Sequence, residues 1–357
     1  MLVASWVAHH PGEPLVLGER EESAGPGEVL VRVAGCGVCH TDLGFLYDGV
    51  PTRHPLPLTL GHEVSGTVIE AGVGAEPWQG KSVIIPAVIP CGDCEACRDG
   101  HGSVCPGQIF PGSDVHGGFG THLRVPAKGL CEVPDLADRK RNPNGLDLLQ
   151  LSVIADAVST PYQAVIRSGL SEGDLAVFVG AGGVGGFGVQ VAAARGAEVI
   201  ALDVNPQRLD LMARYGASAV LRPDEMDFKD LRNAVRGFAS EKGIPSWRQK
   251  IFETSGTTQG QATAFGLLGF GGYLSVVGYT PKKVELRLSN LMALDAVAQG
   301  NWGCLPKHYP AVLDLVLSGK VALTPFVESR PLGSINETLT DLHDGKITGR
   351  VILVPES

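Results

Sequence analysis

Four cysteines in one short loop, Cys91, Cys94, Cys97 and Cys105, are spaced C-x2-C-x2-C-x7-C. Zinc takes thiolates in a tetrahedron, and a site closed by four sulfurs leaves no position for a substrate. The spacing therefore predicts a structural zinc ion. Gly92, Gly100 and Gly102 let the backbone wrap, and Pro90 and Pro106 bracket the loop. Two disulfides are the alternative use of the same thiols. A second polar set is of another kind. Cys39-His40-Thr41-Asp42 and Gly61-His62-Glu63 hold two good zinc ligands, Cys39 and His62. A catalytic metal site needs three protein ligands and an open position. Asp42 and Glu63 are candidates for the third ligand, or for a carboxylate that orients the liganding imidazole. Taken singly, Cys39 reads as a small buried hydrophobe and His62 as a hydrogen-bonded core histidine.

A third motif, Gly180-Ala181-Gly182-Gly183-Val184-Gly185, matches G-x-G-x-x-G. It follows an apolar run and opens a helical pattern, which is the context a dinucleotide-binding turn requires. Gly180 makes the turn, Gly182 lets backbone approach a pyrophosphate, and Gly185 lets helix pack on strand. The N–H groups of Gly183, Val184 and Gly185 open a helix N-terminus, where phosphate is favoured. Asp203 ends the next strand, where a carboxylate accepts both ribose hydroxyls and repels a 2′-phosphate. NAD is thus expected over NADP. The alternative for Asp203 is a helix N-cap before Pro206.

These motifs need elements to hold them. Residues 1 to about 150 carry short Val/Ile runs broken by Gly and Pro, such as Glu28–Val33 and Ser82–Pro86. That texture predicts a β-rich domain with long loops. From Asp174 the pattern alternates: strand Leu175–Val179, helix Val184–Arg195, strand Glu198–Leu202, helix Pro206–Tyr215. Further strands fit at Lys250–Phe252 and Tyr273–Val277, then a helix at Tyr309–Ser318 and a strand at Arg350–Val354. Alternating strand and helix implies an α/β domain with a parallel, doubly wound sheet. Asp138–Gly145 reads as a linker.

Composition narrows the function. The chain has 357 residues, enough for two cores, and a formal charge of -9. Its longest basic run is Arg139-Lys140-Arg141, so no nucleic-acid footprint is expected. No apolar stretch is long enough to span a bilayer, and the first eleven residues lack the pattern of a signal peptide. Eight cysteines are too sparse for a disulfide scaffold and point to a reducing, cytoplasmic setting.

The order of these motifs resembles the zinc-dependent medium-chain alcohol dehydrogenases over nearly the whole chain. The resemblance implies a GroES-like catalytic domain with its structural zinc lobe at 1–156, a Rossmann NAD-binding domain at 157–300, and a return to the catalytic domain at 301–357. It implies two zinc ions and NAD as cofactors. A third ligand of the catalytic zinc would lie just ahead of the Rossmann domain, at Asp156, for which helix capping is the alternative. Thr41 would take the alcohol proton, with Asp42 beside His62 and Glu63 also in the catalytic set. His40 and Arg350 would contact the pyrophosphate and Arg208 the adenosine ribose. Val277 and Trp302 complete the expected cofactor contacts. The family often relays the proton through a histidine where this chain has Gly44, leaving water, Tyr47 or His54 to serve.

By the same resemblance, Ala87 stands where relatives acting on very small alcohols carry a large aromatic. The stretches Val83–Cys91, Gly117–Gly120 and Ala155–Tyr162 are similar to the hydroxycyclohexenecarbonyl-CoA dehydrogenase branch. That implies a small-molecule substrate, a cyclic hydroxyacyl-CoA, with Lys307, His308 and the Arg139–Arg141 run as candidates for its phosphates. Other secondary alcohol, polyol, threonine or aryl alcohol dehydrogenases remain alternatives, as does a non-catalytic nucleotide-binding relative. The resemblance also implies a homo-oligomer, dimer or tetramer.

Overall fold

The computed structural model describes residues 1–356. They form two compact units, one of residues 1–159, 303–319 and 323–356, the other of residues 160–302 and 320–322.

The first unit is built on a seven-stranded mixed sheet. From edge to edge its strands are Val327–Pro331, Arg350–Val354, Glu28–Gly37, Glu63–Ala71, Ser82–Ile85 and Cys131–Glu132, with His122–Pro126 also paired to Glu28–Gly37. A smaller sheet joins Val16–Glu21, Leu2–Ala8 and Leu58–Thr59. The core lies on Val29, Val31, Val64, Val83, Ile85, Phe119 and Leu353. Glu28–Gly37 runs past the expected end at Val33, because its later residues pair with both Glu63–Ala71 and Arg350–Val354. Gly37 stands opposite Glu63 in that register. The antiparallel pairing therefore sets the end of one strand beside the start of the next, and with them Cys39 and His62. The 3₁₀ run Gln150–Ala155 lies against this sheet, tied by the Ser65 hydroxyl donating to the Leu148 carbonyl at 2.6 Å.

Asp138–Gly145 is no boundary, because it lies inside the first unit. Asn142 is buried there, donating to the Leu136 and Leu146 carbonyls and accepting from Leu146 N–H.

The second unit is a six-stranded, all-parallel sheet in the order Ala219–Leu221, Glu198–Leu202, Leu175–Val179, Gln249–Glu253, Tyr273–Val276, Val297–Gly300. Leu175–Val179 is buried at every residue, as expected of a parallel strand covered on both faces. Chain order reverses beside it, which makes the carboxyl ends of Leu175–Val179 and Gln249–Glu253 the topological switch point. Val179 pairs with both Leu202 and Glu253, so Gly180, Asp203 and Thr254 emerge at one level. No helix among the described residues is long and apolar enough to cross a membrane.

Candidate active site

Two groups of metal-binding side chains lie in the first unit: Cys91, Cys94, Cys97 and Cys105, and Cys39, His62, Glu63 and Asp156. Within each group the ligand atoms lie within 4.8 Å of one another.

In the second group Asp156 Oδ2 is 3.6 Å from His62 Nε2 and 4.0 Å from Cys39 Sγ. Ligands at zinc distances and tetrahedral angles stand about 3.3–3.8 Å apart. The His62 ring is buried and neither nitrogen makes a well-formed hydrogen bond. An imidazole left so, facing a thiol and a carboxylate, fits a metal ion better than a packed core. Asp42 holds the ensemble together. One oxygen accepts from Cys39 N–H at 2.9 Å, and the other accepts from Gly61 N–H at 3.2 Å and lies 3.4 Å from His62 Nδ1. It acts from the first turn of helix His40–Leu46 and leaves Nε2 to face the metal position. Thr41 Oγ1 lies 3.6 Å from Cys39 Sγ.

Charge around the group is balanced from one side by Arg350. Its guanidinium is buried, 2.9 Å from Glu63 Oε1, and donates to the Val38 carbonyl at 3.0 Å. The arginine expected at a pyrophosphate is therefore turned inward in this structure, against Glu63. Burial would raise the Cys39 thiol, but Arg350 and then His62 bring its pKa below the ordinary value. Burial would likewise lower the His62 imidazolium, yet Asp42 and Asp156 hold it well above. Glu63 is pushed up by burial, against the pull of Arg350.

Asp156 follows the 3₁₀ run and precedes helix Ser159–Arg167, so it does not begin that helix as a cap. His40 is exposed at the start of its own helix.

The cysteine lobe is compact. Cys94 Sγ is 3.5 Å from Cys97 Sγ and 3.7 Å from Cys105 Sγ, and Cys91 Sγ is 4.0 Å from Cys97 Sγ. The first two are tetrahedral separations and the third is slightly wider, and all eight cysteines are free thiols, so the disulfide alternative fails. Cys91 Sγ accepts from the N–H groups of Asp93 and Cys94, which brings its pKa down to about 6.

In the second unit Gly180 has φ +99°, a conformation glycine takes without strain, and a Cβ there would meet Ser255 backbone at 2.6 Å. A Cβ on Gly185 would lie 1.9 Å from the Gly180 carbonyl oxygen. Gly182 has only Arg208 nearby, at 3.6 Å, so its face is open to a ligand. Gly183 and Val184 lead into helix Gly185–Ala194. Asp203 is buried, accepts from Ala181 N–H at 2.7 Å and Asn205 N–H at 2.8 Å, and faces Arg208 at 3.8 Å. The helix cap before Pro206 is Asn205, not Asp203.

Val277 N–H donates to the Glu253 carbonyl, next to this turn. Trp302 is half exposed just beyond the carboxyl end of strand Val297–Gly300, its carbonyl accepting from Gln163. Sequence reasoning missed Glu253 and Thr254. The Thr254 hydroxyl donates to the Gly180 carbonyl at 2.7 Å, and Glu253 braces the following turn through Ser255 and Gly256. Their position after an apolar strand of a parallel sheet was the available signal.

Residues 25–135 match the alcohol dehydrogenase GroES-like domain family, and residues 183–318 match the zinc-binding dehydrogenase family. An alcohol dehydrogenase of Geobacillus stearothermophilus is 31% identical over 330 residues, 92% of this chain and 91% of that protein. The L-threonine 3-dehydrogenase of Pyrococcus abyssi is 30% identical, covering 92% of each. The crystal structure of the alcohol dehydrogenase of Aeropyrum pernix matches with a TM-score of 0.85 at 29% identity, over 99% of this chain and 100% of that one. With this fold, these two thiolate and mixed donor groups and this glycine turn, the chain belongs to the zinc-dependent medium-chain alcohol dehydrogenases, and is an oxidoreductase with NAD and two zinc ions as its cofactors.

Proposed function

We propose that this enzyme oxidises a secondary alcohol to a ketone, with Cys39, His62 and Asp156 holding the catalytic zinc and the four-cysteine lobe the structural one. The observation that carries the reading is the mixed S, N, O donor set with the Thr41 hydroxyl beside it. Zinc, when bound there, supplies Lewis-acid polarisation of an alcohol oxygen, and NAD supplies the hydride acceptor. Thr41 Oγ1 accepts the alcohol proton as its own hydroxyl proton passes on to water, with Tyr47 or His54 as the alternative carriers, since Gly44 offers no side chain to continue the relay. Asp42 keeps the His62 ring in its tautomer, and Arg350 neutralises Glu63 so that its charge does not compete at the donors. His40 reaches for pyrophosphate, and Asp203 and Arg208 hold the adenosine ribose, with NAD preferred over NADP. Val277 and Trp302 complete the cofactor contacts. The setting is cytoplasmic and the assembly a dimer or tetramer.

Relatives named for threonine, a deoxygalactonate and arabinose support a secondary alcohol or polyol as substrate class. Ala87 supports a bulky member of that class. It is buried with Val88 and Phe110, and the Phe110 ring lies 4.9 Å from that of His62. The finer reading is 6-hydroxycyclohex-1-ene-1-carbonyl-CoA, oxidised to the 6-oxo compound in anaerobic benzoyl-CoA degradation. It rests on the sequence likeness around the metal loops, with exposed Lys307 and the Arg139–Arg141 run offered to CoA phosphates. NAD reduction is measured with this thioester, cyclohexanol and a set of polyols. The thioester reading expects far higher kcat/KM for the thioester, since remote binding energy would hold the hydroxyl in place. Equal efficiency with cyclohexanol leaves a generic secondary alcohol dehydrogenase. No turnover of any alcohol by zinc-loaded protein refutes the proposal.

A further inference from the structure

We propose that Tyr309 is a positioning residue for the metal site: its hydroxyl, with that of Ser159, pins the Ala155 carbonyl and so aims the Asp156 carboxylate. The inference rests on the reading of Asp156 as a zinc ligand.

Asp156 is not held by regular structure. The 3₁₀ run stops at Ala155, the helix starts at Ser159, and Asp156 itself has φ −142° and ψ −58°. An oxygen donor on such a residue needs other restraint, because a catalytic constellation tolerates only about 0.5 Å of slack. The restraint is found one peptide upstream. The Ala155 carbonyl accepts from the Tyr309 hydroxyl at 2.5 Å, from Ser159 Oγ at 3.3 Å and from Ala87 N–H at 3.3 Å. The Ala87 N–H is shared, since it also lies 3.3 Å from the Tyr309 oxygen. One hydroxyl thus ties together the segment that carries Asp156 and the segment that carries Ala87.

Tyr309 starts helix Tyr309–Leu317 and is wholly buried. Phenylalanine would fill the same volume. A buried hydroxyl is costly to desolvate unless it is bonded, so its presence marks its bonds as the reason for it. Burial raises the phenol pKa, which keeps the group a donor. All of these residues belong to the first unit, as do Cys39 and His62.

The test uses the full-length, zinc-loaded protein and its Tyr309→Phe, Ser159→Ala and Asp156→Asn variants. Zinc release to a chromophoric chelator is followed together with kcat, KM and thermal stability. Partners that orient a metal ligand are worth about 10–100-fold in metal affinity. Tyr309→Phe is expected to keep one zinc as tightly as the parent and to release the other at least ten-fold more readily, with a fall in kcat exceeding any change in the KM for NAD. Ser159→Ala, which spares the ring, is expected to give a smaller loss of the same zinc. It decides the matter if Tyr309→Phe fails to fold. If Asp156→Asn loses the second zinc while both other variants hold it like the parent, Tyr309 only packs and the proposal is overturned. If Asp156→Asn also holds both, the ligand reading itself falls, and the proposal with it.

Discussion

Replacing Gly185 by alanine tests the glycine turn most sharply. The new Cβ would stand 1.9 Å from the Gly180 carbonyl oxygen and 2.6 Å from Thr254 Oγ1. Real Cβ contacts essentially never fall below 3.0 Å, so helix and strand must part by about 1.1 Å (3.0 − 1.9). Neither neighbour can yield freely. The carbonyl is backbone, and Thr254 is bonded to it at 2.7 Å. Overpacking of this kind costs about 1–3 kcal/mol. The same shift moves the helix N–H groups off a pyrophosphate. Losing one charge-assisted bond there costs roughly 1.5–3 kcal/mol, or about 10–150-fold in Kd. Gly182→Ala is the comparison, since its Cβ meets only Arg208 at ordinary contact distance. Calorimetric titration with NAD and thermal melts are run on both. Gly185→Ala should lower Tm and NAD affinity together, whereas Gly182→Ala should lower NAD affinity at nearly unchanged Tm. Both zinc ions should stay bound, because their ligands lie in the other unit. A Gly185→Ala protein with the parent's Tm and Kd would refute the reasoning.

Cys94→Ser should leave one zinc per chain and lower Tm markedly, since structural zinc contributes folding free energy directly; metal analysis that still finds two tightly held ions contradicts it. Asp203→Gly should raise the NADP to NAD ratio of kcat/KM by removing both the repulsion of a 2′-phosphate and the ribose acceptor, and an unchanged ratio counts against the assignment. Asp174 gives a pH signature. Burial would raise its pKa, but Arg248 Nε at 2.7 Å and Ser171 N–H at 2.9 Å bring it below the ordinary value. A depressed folded pKa contributes stability above the unfolded value, about 3.9, and that stability is lost as pH falls through the folded pKa. Asp174→Asn should therefore be less stable than the parent near pH 6, by about 1 kcal/mol given the exposure of Arg248, with the gap closing in acid. A gap that does not narrow in denaturant titrations at low pH sinks this account.

What could be read from the chain was whatever its neighbours alone decide. Leu175–Val179, Glu198–Leu202 and Arg350–Val354 have their predicted bounds, because a short apolar run between turn residues suffices to place a buried strand. The four cysteines come together for the same reason, since one loop carries them all. The glycine turn is local too. The catalytic donors are not. Cys39 and His62 meet because Gly37 pairs with Glu63 in an antiparallel register, and that register depends on both strands and the core beneath them. Asp156 could be assigned only by likeness to a family, and neither the inward turn of Arg350 onto Glu63 nor the hydroxyl of Tyr309 on the Ala155 carbonyl left any trace in local pattern. A spacing along the chain encodes distance only as far as one turn or loop. Beyond that, strand pairing and packing choose which side chains become neighbours, and those choices exist only in the folded molecule.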